Sequence, residues 1–224
     1  MLAPGGLSGV QMRSGLRAVL AMIGPLALPL FLPAPAVAQA GPAPGVMSDE
    51  TLQHDGRARR FLVHDFSGGR PAPVVIVLHG GGGNPENAVN MTQFDVVAAR
   101  EKLIAVYPGG TGGLPGGRVL TWNAGHCCAY AMRQKVDDAG FLGALIDRLV
   151  SAGKADPDRV YVTGMSNGGM MSHVMGRALP GKVAAIAPVV GALFGDEPPS
   201  SRPTRAAGAA RRWRTSPGRR RCRD

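Results

Sequence analysis

The stretch that most restricts what this chain can fold into is Gly164-Met165-Ser166-Asn167-Gly168. It follows the apolar run Val160-Tyr161-Val162-Thr163 and precedes Gly169 and a helical stretch from Met170 to Leu179. A strand that turns into a helix around one serine within a few residues needs small neighbours. A Cβ on either flanking glycine would meet the adjacent strand or helix, and the serine must accept a strained backbone conformation. G-x-S-x-G alone is a weak pattern, because both residues are common. The strand before it and the helix after it make it specific.

The rest of the chain repeats that alternation. Gly41 to Glu50 reads as a Pro/Gly-containing linker, and Arg59 to Phe66 has strand character, expected at an exposed edge. Pro73 to Leu78 is a continuous β-branched run suited to a strand buried on both faces. It leads into His79-Gly80-Gly81-Gly82-Gly83-Asn84. Pro85 to Glu101 then reads as one helix, with Pro85 near its first turn and Val89, Phe94, Val97 and Ala98 facing inward. Leu103 to Tyr107 is the next strand and Pro108 to Gly117 a Gly-rich loop. Asp137 or Asp138 is expected to cap a helix from about Ala139 to Ala152, in which Phe141, Leu142, Leu145, Ile146 and Leu149 form one apolar stripe. Asp156-Pro157-Asp158 reads as a turn and Val183 to Val190 as a last strand. Strands alternating with helices predict an α/β fold, a mainly parallel sheet with helices on both faces.

Charge says less about partners than it first suggests. The net charge is +10, but residues 201–224 hold nine arginines against one acid and so supply +8 of it. The body is near neutral, and no nucleic-acid partner is expected for it. None of the three cysteines has C-x-x-C spacing, so no metal site is expected. Cys127 and Cys128 can pair with each other or remain as thiols, and the odd count leaves at least one thiol unpaired. At the start, Arg13 and Arg17 precede an apolar run from Ala18 to Leu32, and Ala36-Val37-Ala38-Gln39-Ala40 follows. Positive, apolar, then small residues is the order of a secretory signal peptide, over residues 1–40. Pro25 and Pro29 break the run short of the roughly 20 residues a span needs, so no stable membrane insertion is expected.

A serine hydroxyl is a weak nucleophile near neutral pH. It needs a base, a group to orient the base, and donors for the oxyanion that develops on attack. The donors are visible. One is the backbone N–H of Asn167, the residue after the serine. The other is an N–H of the loop His79 to Asn84, with Gly81 the best single candidate because glycine lets the backbone approach a ligand. Phosphate binding by that loop is disfavoured: no G-x-x-x-x-G-K-[ST] occurs, and no G-x-G-x-x-G with an acid about 20 residues on.

Four blocks then fall in one order: His79 to Asn84; Trp122-Asn123-Ala124-Gly125-His126-Cys127-Cys128; Val136-Asp137-Asp138-Ala139-Gly140-Phe141-Leu142; and Gly164 to Met171. Together they resemble the secreted polyhydroxybutyrate depolymerase / feruloyl esterase family of α/β-hydrolases, from about Leu52 to Pro199. The resemblance implies an extracellular or periplasmic serine esterase without cofactor. It implies attack by Ser166 on short hydroxyalkanoate esters, or alternatively on feruloyl esters of plant polysaccharides. It places His79 and Trp122 near the substrate cleft, although Trp122 reads equally well as core and His79 as a structural hydrogen-bonding residue.

The chain also departs from that family. The resemblance implies an acid and a histidine on loops after strands that follow Val183 to Val190. Here the histidines are His54, His64, His79, His126 and His173, the last only seven positions past Ser166. His126 is the other cleft candidate for a base; Asp196 and Glu197 come one strand too early for the acid. Beyond Pro199 the chain turns to Arg, Ala, Gly, Pro and Ser, with Trp213 the only large apolar residue, a composition that cannot bury a core. Residues 41–200 are therefore expected to form the N-terminal part of a catalytic domain lacking its last strands, and 201–224 a disordered tail. An out-of-frame C-terminus is the first reading of that tail. A solvated tail and a basic arm for an anionic surface are the others. The rival functions are a catalytically inactive remnant and a basic-tailed binding protein.

Overall fold

The computed structural model describes residues 45–192. The expected signal peptide, the Arg-rich tail, Cys222, Trp213, Asp196 and Glu197 lie outside the described residues. Six strands form one sheet in the order β1-β2-β4-β3-β5-β6: β1 (Val46–His54), β2 (Arg57–Asp65), β3 (Ala72–Leu78), β4 (Ile104–Pro108), β5 (Ala155–Met165) and β6 (Ala185–Val189). The pairs β4–β3, β3–β5 and β5–β6 are parallel; β1–β2 and β2–β4 are antiparallel. The helices are α1 (Pro85–Thr92), α2 (Phe94–Glu101), α3 (Ala129–Arg133), α4 (Asp138–Ser151) and α5 (Asn167–Ala178). Among the described residues no helix is long and apolar enough to cross a membrane.

The β-branched run of β3 divides between two cores, as a strand covered on both faces must. Val74, Ile76 and Leu78 join Ile104 and Val106 of β4 against Phe141, Leu142, Leu145, Ile146 and Leu149 of α4 and Met171 and Met175 of α5. Val77, with Ala105 and Tyr107 of β4, faces Ala88 of α1 and Ala98 of α2. The apolar stripe expected on α4 is buried as a unit.

Four expectations are corrected. The segment expected at the sheet edge, Arg59 to Phe66, lies in β2 up to Asp65, and β2 pairs on both sides. The edge is β1, and it begins at Val46, inside the segment read as a linker. β1 escapes notice because an edge strand with polar residues on both faces has no apolar alternation. The single helix expected over Pro85 to Glu101 is two helices, separated at Gln93, which takes a left-handed conformation with φ 49° and ψ 30°. The change of direction lets Ala88 and Ala98 both reach the sheet, and no glycine or proline marks it. Asp156-Pro157-Asp158 does not precede the fifth strand but bulges within it: Ala72 pairs with Ala155 and Val74 with Val160. The Asp156 carboxylate accepts the Asp158 N–H at 2.9 Å inside that bulge.

Candidate active site

Ser166 stands exposed between β5 and α5, with φ 53° and ψ −117°. A non-glycine residue held there stores about 1–3 kcal/mol of strain, which the surroundings must over-determine. They do. A Cβ on Gly164 would lie 2.6 Å from the Gly168 carbonyl, and one on Gly168 would lie 2.5 Å from the Leu78 oxygen. The Ser166 N–H is fixed to the Val189 carbonyl at 2.9 Å. The turn is therefore clamped between β3, β5 and β6.

The next residue, Asn167, opens α5. Its N–H is at the first helical position, where no intrahelical acceptor exists and the helix dipole is positive. Across from it lies the glycine loop. Gly82 N–H donates to the Leu120 carbonyl at 2.8 Å and Gly83 N–H to the Gly80 carbonyl at 3.0 Å. Among the described residues no acceptor takes the Gly81 N–H. A Cβ on Gly81 would lie 3.5 Å from Asn167 Cβ, so the two loops meet at these residues. Ser166, Asn167 and Gly81 are thus brought together from β5, α5 and the loop after β3. A cavity of about 210 Å³ borders the elbow, lined in part by Gly80, Met91, Met165 and Val189.

His79 and Trp122 lie beneath this surface. His79 is 1% exposed and Trp122 fully buried. His79 Nδ1–H donates to the Gly80 carbonyl at 2.7 Å, and Nε2 accepts the Gly110 N–H at 3.0 Å. That assignment makes the ring neutral. Burial, the largest influence, pushes its pKa down to about 4, against the Gly80 hydrogen bond, which favours the charged form. Trp122 stacks on His79 with ring centroids 5.0 Å apart and donates its indole N–H to the His79 carbonyl at 3.0 Å. In this arrangement both side chains brace the loop.

The two acids expected as alternative caps have separate places. Asp137 caps α4 by accepting the Gly140 N–H at 2.9 Å, and it also bonds His54 Nε2 at 2.9 Å. Asp138 is buried. It accepts from Arg59 Nη2 at 2.6 Å and from the Asn123 N–H at 2.7 Å. Burial draws both partners toward their neutral forms, Asp138 upward and Arg59 downward, and their mutual attraction opposes it. This buried pair was missed from sequence. The parity of β2 was the available signal, since Phe61 and Val63 point inward and Arg59 shares their face.

The remaining histidines are dispersed. His64 Nδ1 bonds Asp95 at 2.7 Å, which also accepts from the Tyr107 hydroxyl at 2.7 Å. His126 is exposed on the loop after Trp122, and His173 is half-buried on α5. Among the described residues no histidine hydrogen-bonds the Ser166 hydroxyl. Cys127 and Cys128 form a vicinal disulfide in that same loop.

Comparison with known proteins agrees with this architecture. The chain is 32% identical over 155 residues to the putative esterase NocK of Nocardia uniformis subsp. tsuyamanensis, covering 66% of this chain and 42% of that protein. It is 33% identical over 123 residues to feruloyl esterase B of Piromyces equi, covering 55% of this chain and 22% of that one. It therefore spans less than half the length of these relatives. Among solved structures, the acetyl xylan esterase from Aspergillus awamori superposes with a TM-score of 0.53 at 19% identity, over 66% of this chain and 52% of that one. That likeness shows the α/β-hydrolase fold. The family described as esterase PHB depolymerase matches residues 67–214, well over half of the sequence. A serine elbow, a facing glycine loop and that match lead to one conclusion: the chain belongs to the esterase PHB depolymerase family.

Proposed function

We propose that the chain is a secreted serine carboxylic-ester hydrolase in which Ser166 attacks the ester carbonyl. The observation that carries this is the meeting of Ser166, strained and exposed at φ 53°, with Gly81 and Asn167, whose N–H groups are uncommitted. Attack on the carbonyl carbon gives a tetrahedral oxyanion held by those two N–H groups. Its collapse expels the alcohol and leaves an acyl-enzyme on Ser166, which water then hydrolyses. One such donor is worth about 3–4 kcal/mol of transition-state stabilisation in a serine protease. The base and acid that complete a triad are assigned to no described residue. Residues 1–40 are proposed as the secretory signal. Substrates are proposed to be short hydroxyalkanoate esters, in keeping with the family, or feruloyl esters, in keeping with the relative from Piromyces equi.

The test is turnover of p-nitrophenyl butyrate, a 3-hydroxybutyrate oligomer and methyl ferulate by the full chain and by Ser166→Ala. The expected result is hydrolysis that the substitution abolishes; equal rates for the two proteins overturn the reading. A second reading, an esterase scaffold that binds esters without turnover, is favoured by one observation: His79, the histidine of the glycine loop, commits both ring nitrogens to backbone groups, the Gly80 carbonyl and the Gly110 N–H. Saturable ester binding with no turnover in the unsubstituted chain would select it.

A further inference from the structure

We infer that Arg59 is a positioning residue that sets the two oxyanion donors relative to each other, through two hydrogen-bonded arms that start from one nitrogen. The inference rests on the proposed function for its catalytic meaning, but its geometry stands apart from it. Arg59 Nη2 carries two hydrogens. One goes to the Gly109 carbonyl at 3.2 Å and the other to Asp138 Oδ1 at 2.6 Å. The first arm continues from Gly109 to Gly110, whose N–H donates to His79 Nε2. His79 Nδ1–H then fixes the Gly80 carbonyl, next to Gly81. The second arm continues from Asp138 to the Asn123 N–H. Asn123 follows Trp122, whose N–H and carbonyl are both held by the Asn167 side chain, at 2.8 and 3.0 Å. One arm therefore ends at the residue before Gly81 and the other at Asn167 itself.

The physical case is that the side chains carrying the two arms are buried. Arg59 is 3% exposed, Asp138 1% and Asn167 2%. The guanidinium carbon sits over the Phe141 ring, 4.0 Å from its centroid. Nε and Nη1 have no hydrogen-bond acceptor among the described residues. A buried arginine with unmet hydrogens is costly for stability alone, since an apolar pair of similar shape serves a core as well or better. What the guanidinium supplies is a planar fork with two hydrogens at a fixed angle, which an apolar pair or a lysine cannot reproduce. Oxyanion donors act only when placed before the charge develops, and an error of about 1 Å in the site costs on the order of a hundredfold in rate.

The experiment uses the full chain with Arg59→Met, Arg59→Lys and Asp138→Asn, and Arg148→Met as a surface control. Amide hydrogen exchange is followed at Gly110 and Asn123 and, for comparison, along β5 and α4. Arg59→Met is expected to speed exchange at both amides more than along β5 and α4. Asp138→Asn is expected to speed Asn123 alone, and Arg59→Lys to fall between. If Arg59→Met does not fold, the other two variants carry the same comparison. In turnover, kcat is expected to fall on the order of tenfold to a hundredfold in Arg59→Met with KM little changed, and Arg59→Lys to recover part of it. Uniform acceleration across the domain, unchanged exchange in either arm, or an unchanged kcat in an active enzyme overturns the inference. A chain without turnover would refute the proposed function while leaving the exchange result to decide this one.

Discussion

Asn167 holds Trp122 by both polar atoms of its backbone: Asn167 Oδ1 accepts the Trp122 N–H at 2.8 Å, and Asn167 Nδ2 donates to the Trp122 carbonyl at 3.0 Å. The side chain thus mimics one rung of a sheet ladder between the elbow and the loop after β4. Replacing it by alanine leaves the buried Trp122 N–H unpaired, at about 1–3 kcal/mol, whereas the Trp122 carbonyl keeps the N–H groups of Ala124 and Cys128, each at 3.1 Å. Asn167→Ala is expected to lower the urea midpoint by an amount equivalent to about 1–3 kcal/mol with little change in m-value. Asn167→Asp keeps the acceptor and loses the donor, and is expected to place a buried anion against a carbonyl, with a loss at least as large. Equilibrium unfolding followed by fluorescence checks both.

The glycines of the elbow and of the facing loop should respond in opposite ways. Gly168→Ala puts a methyl 2.5 Å from the Leu78 oxygen, where only backbone can move. It is expected to cost several kcal/mol, at the upper end of single-substitution effects, or to prevent folding. Gly81→Ala places its methyl 3.5 Å from Asn167 Cβ, ordinary van der Waals contact. It is expected to leave the melting temperature within a few degrees of the parent. Thermal unfolding of the two variants side by side makes the comparison.

His79 should give the fold a pH dependence of known sign. Its folded pKa of about 4 lies below the ordinary value of 6.5, so the unfolded chain binds the proton more readily. Stability is full above pH ~6.5 and is lost as pH falls toward ~4, by up to ~3 kcal/mol. Asp49, Glu86, Asp95, Asp137 and Asp156 also have lowered values, but their losses begin only near and below the ordinary carboxylate range. Asp138, raised by burial, works in the opposite sense in the interval above the ordinary carboxylate range, so the histidine's share is read as the difference between the parent and a variant that lacks it. His79→Gln, which retains an acceptor for the Gly110 N–H, is expected to flatten the profile there. Urea midpoints at half-unit pH steps for both proteins decide it.

Adjacent arginines on β2 should differ in worth. Arg60 bonds Asp49 and Glu86, yet its side chain is 44% exposed and its partners about half exposed. Solvent screens such pairs, so Arg60→Ala is expected to change stability by under about 1 kcal/mol. Arg59→Ala strands the buried Asp138 carboxylate and is expected to cost about 3–5 kcal/mol. Chemical denaturation of the two variants tests the contrast.

The elbow and the glycine loop could be read from sequence because each is local. A strand, a turn and a helix lie within about twenty consecutive residues, and the clash that demands glycine at position 164 is with Gly168 of the same segment, although the one at Gly168 is with Leu78 of β3. The two-faced burial of β3 was legible for the same reason, in six consecutive apolar residues. β1 was not, since an edge strand with polar faces leaves no periodicity. Nor was the break at Gln93, because the need to bring Ala88 and Ala98 to one sheet is a tertiary demand.

By itself the sequence determined which serine stands at a strained turn, which loop faces it, and that strands and helices alternate around them. Those properties follow from steric and burial constraints that act along the chain. Only the tertiary structure decided how the pieces are held together. Arg59 and Asp138 are 79 positions apart, and Asn167 and Trp122 are 45 apart. A buried charge or amide announces its need for a partner but not which residue meets it. The choice is made when the sheet order brings β2, α4 and the loop after β4 against the start of α5.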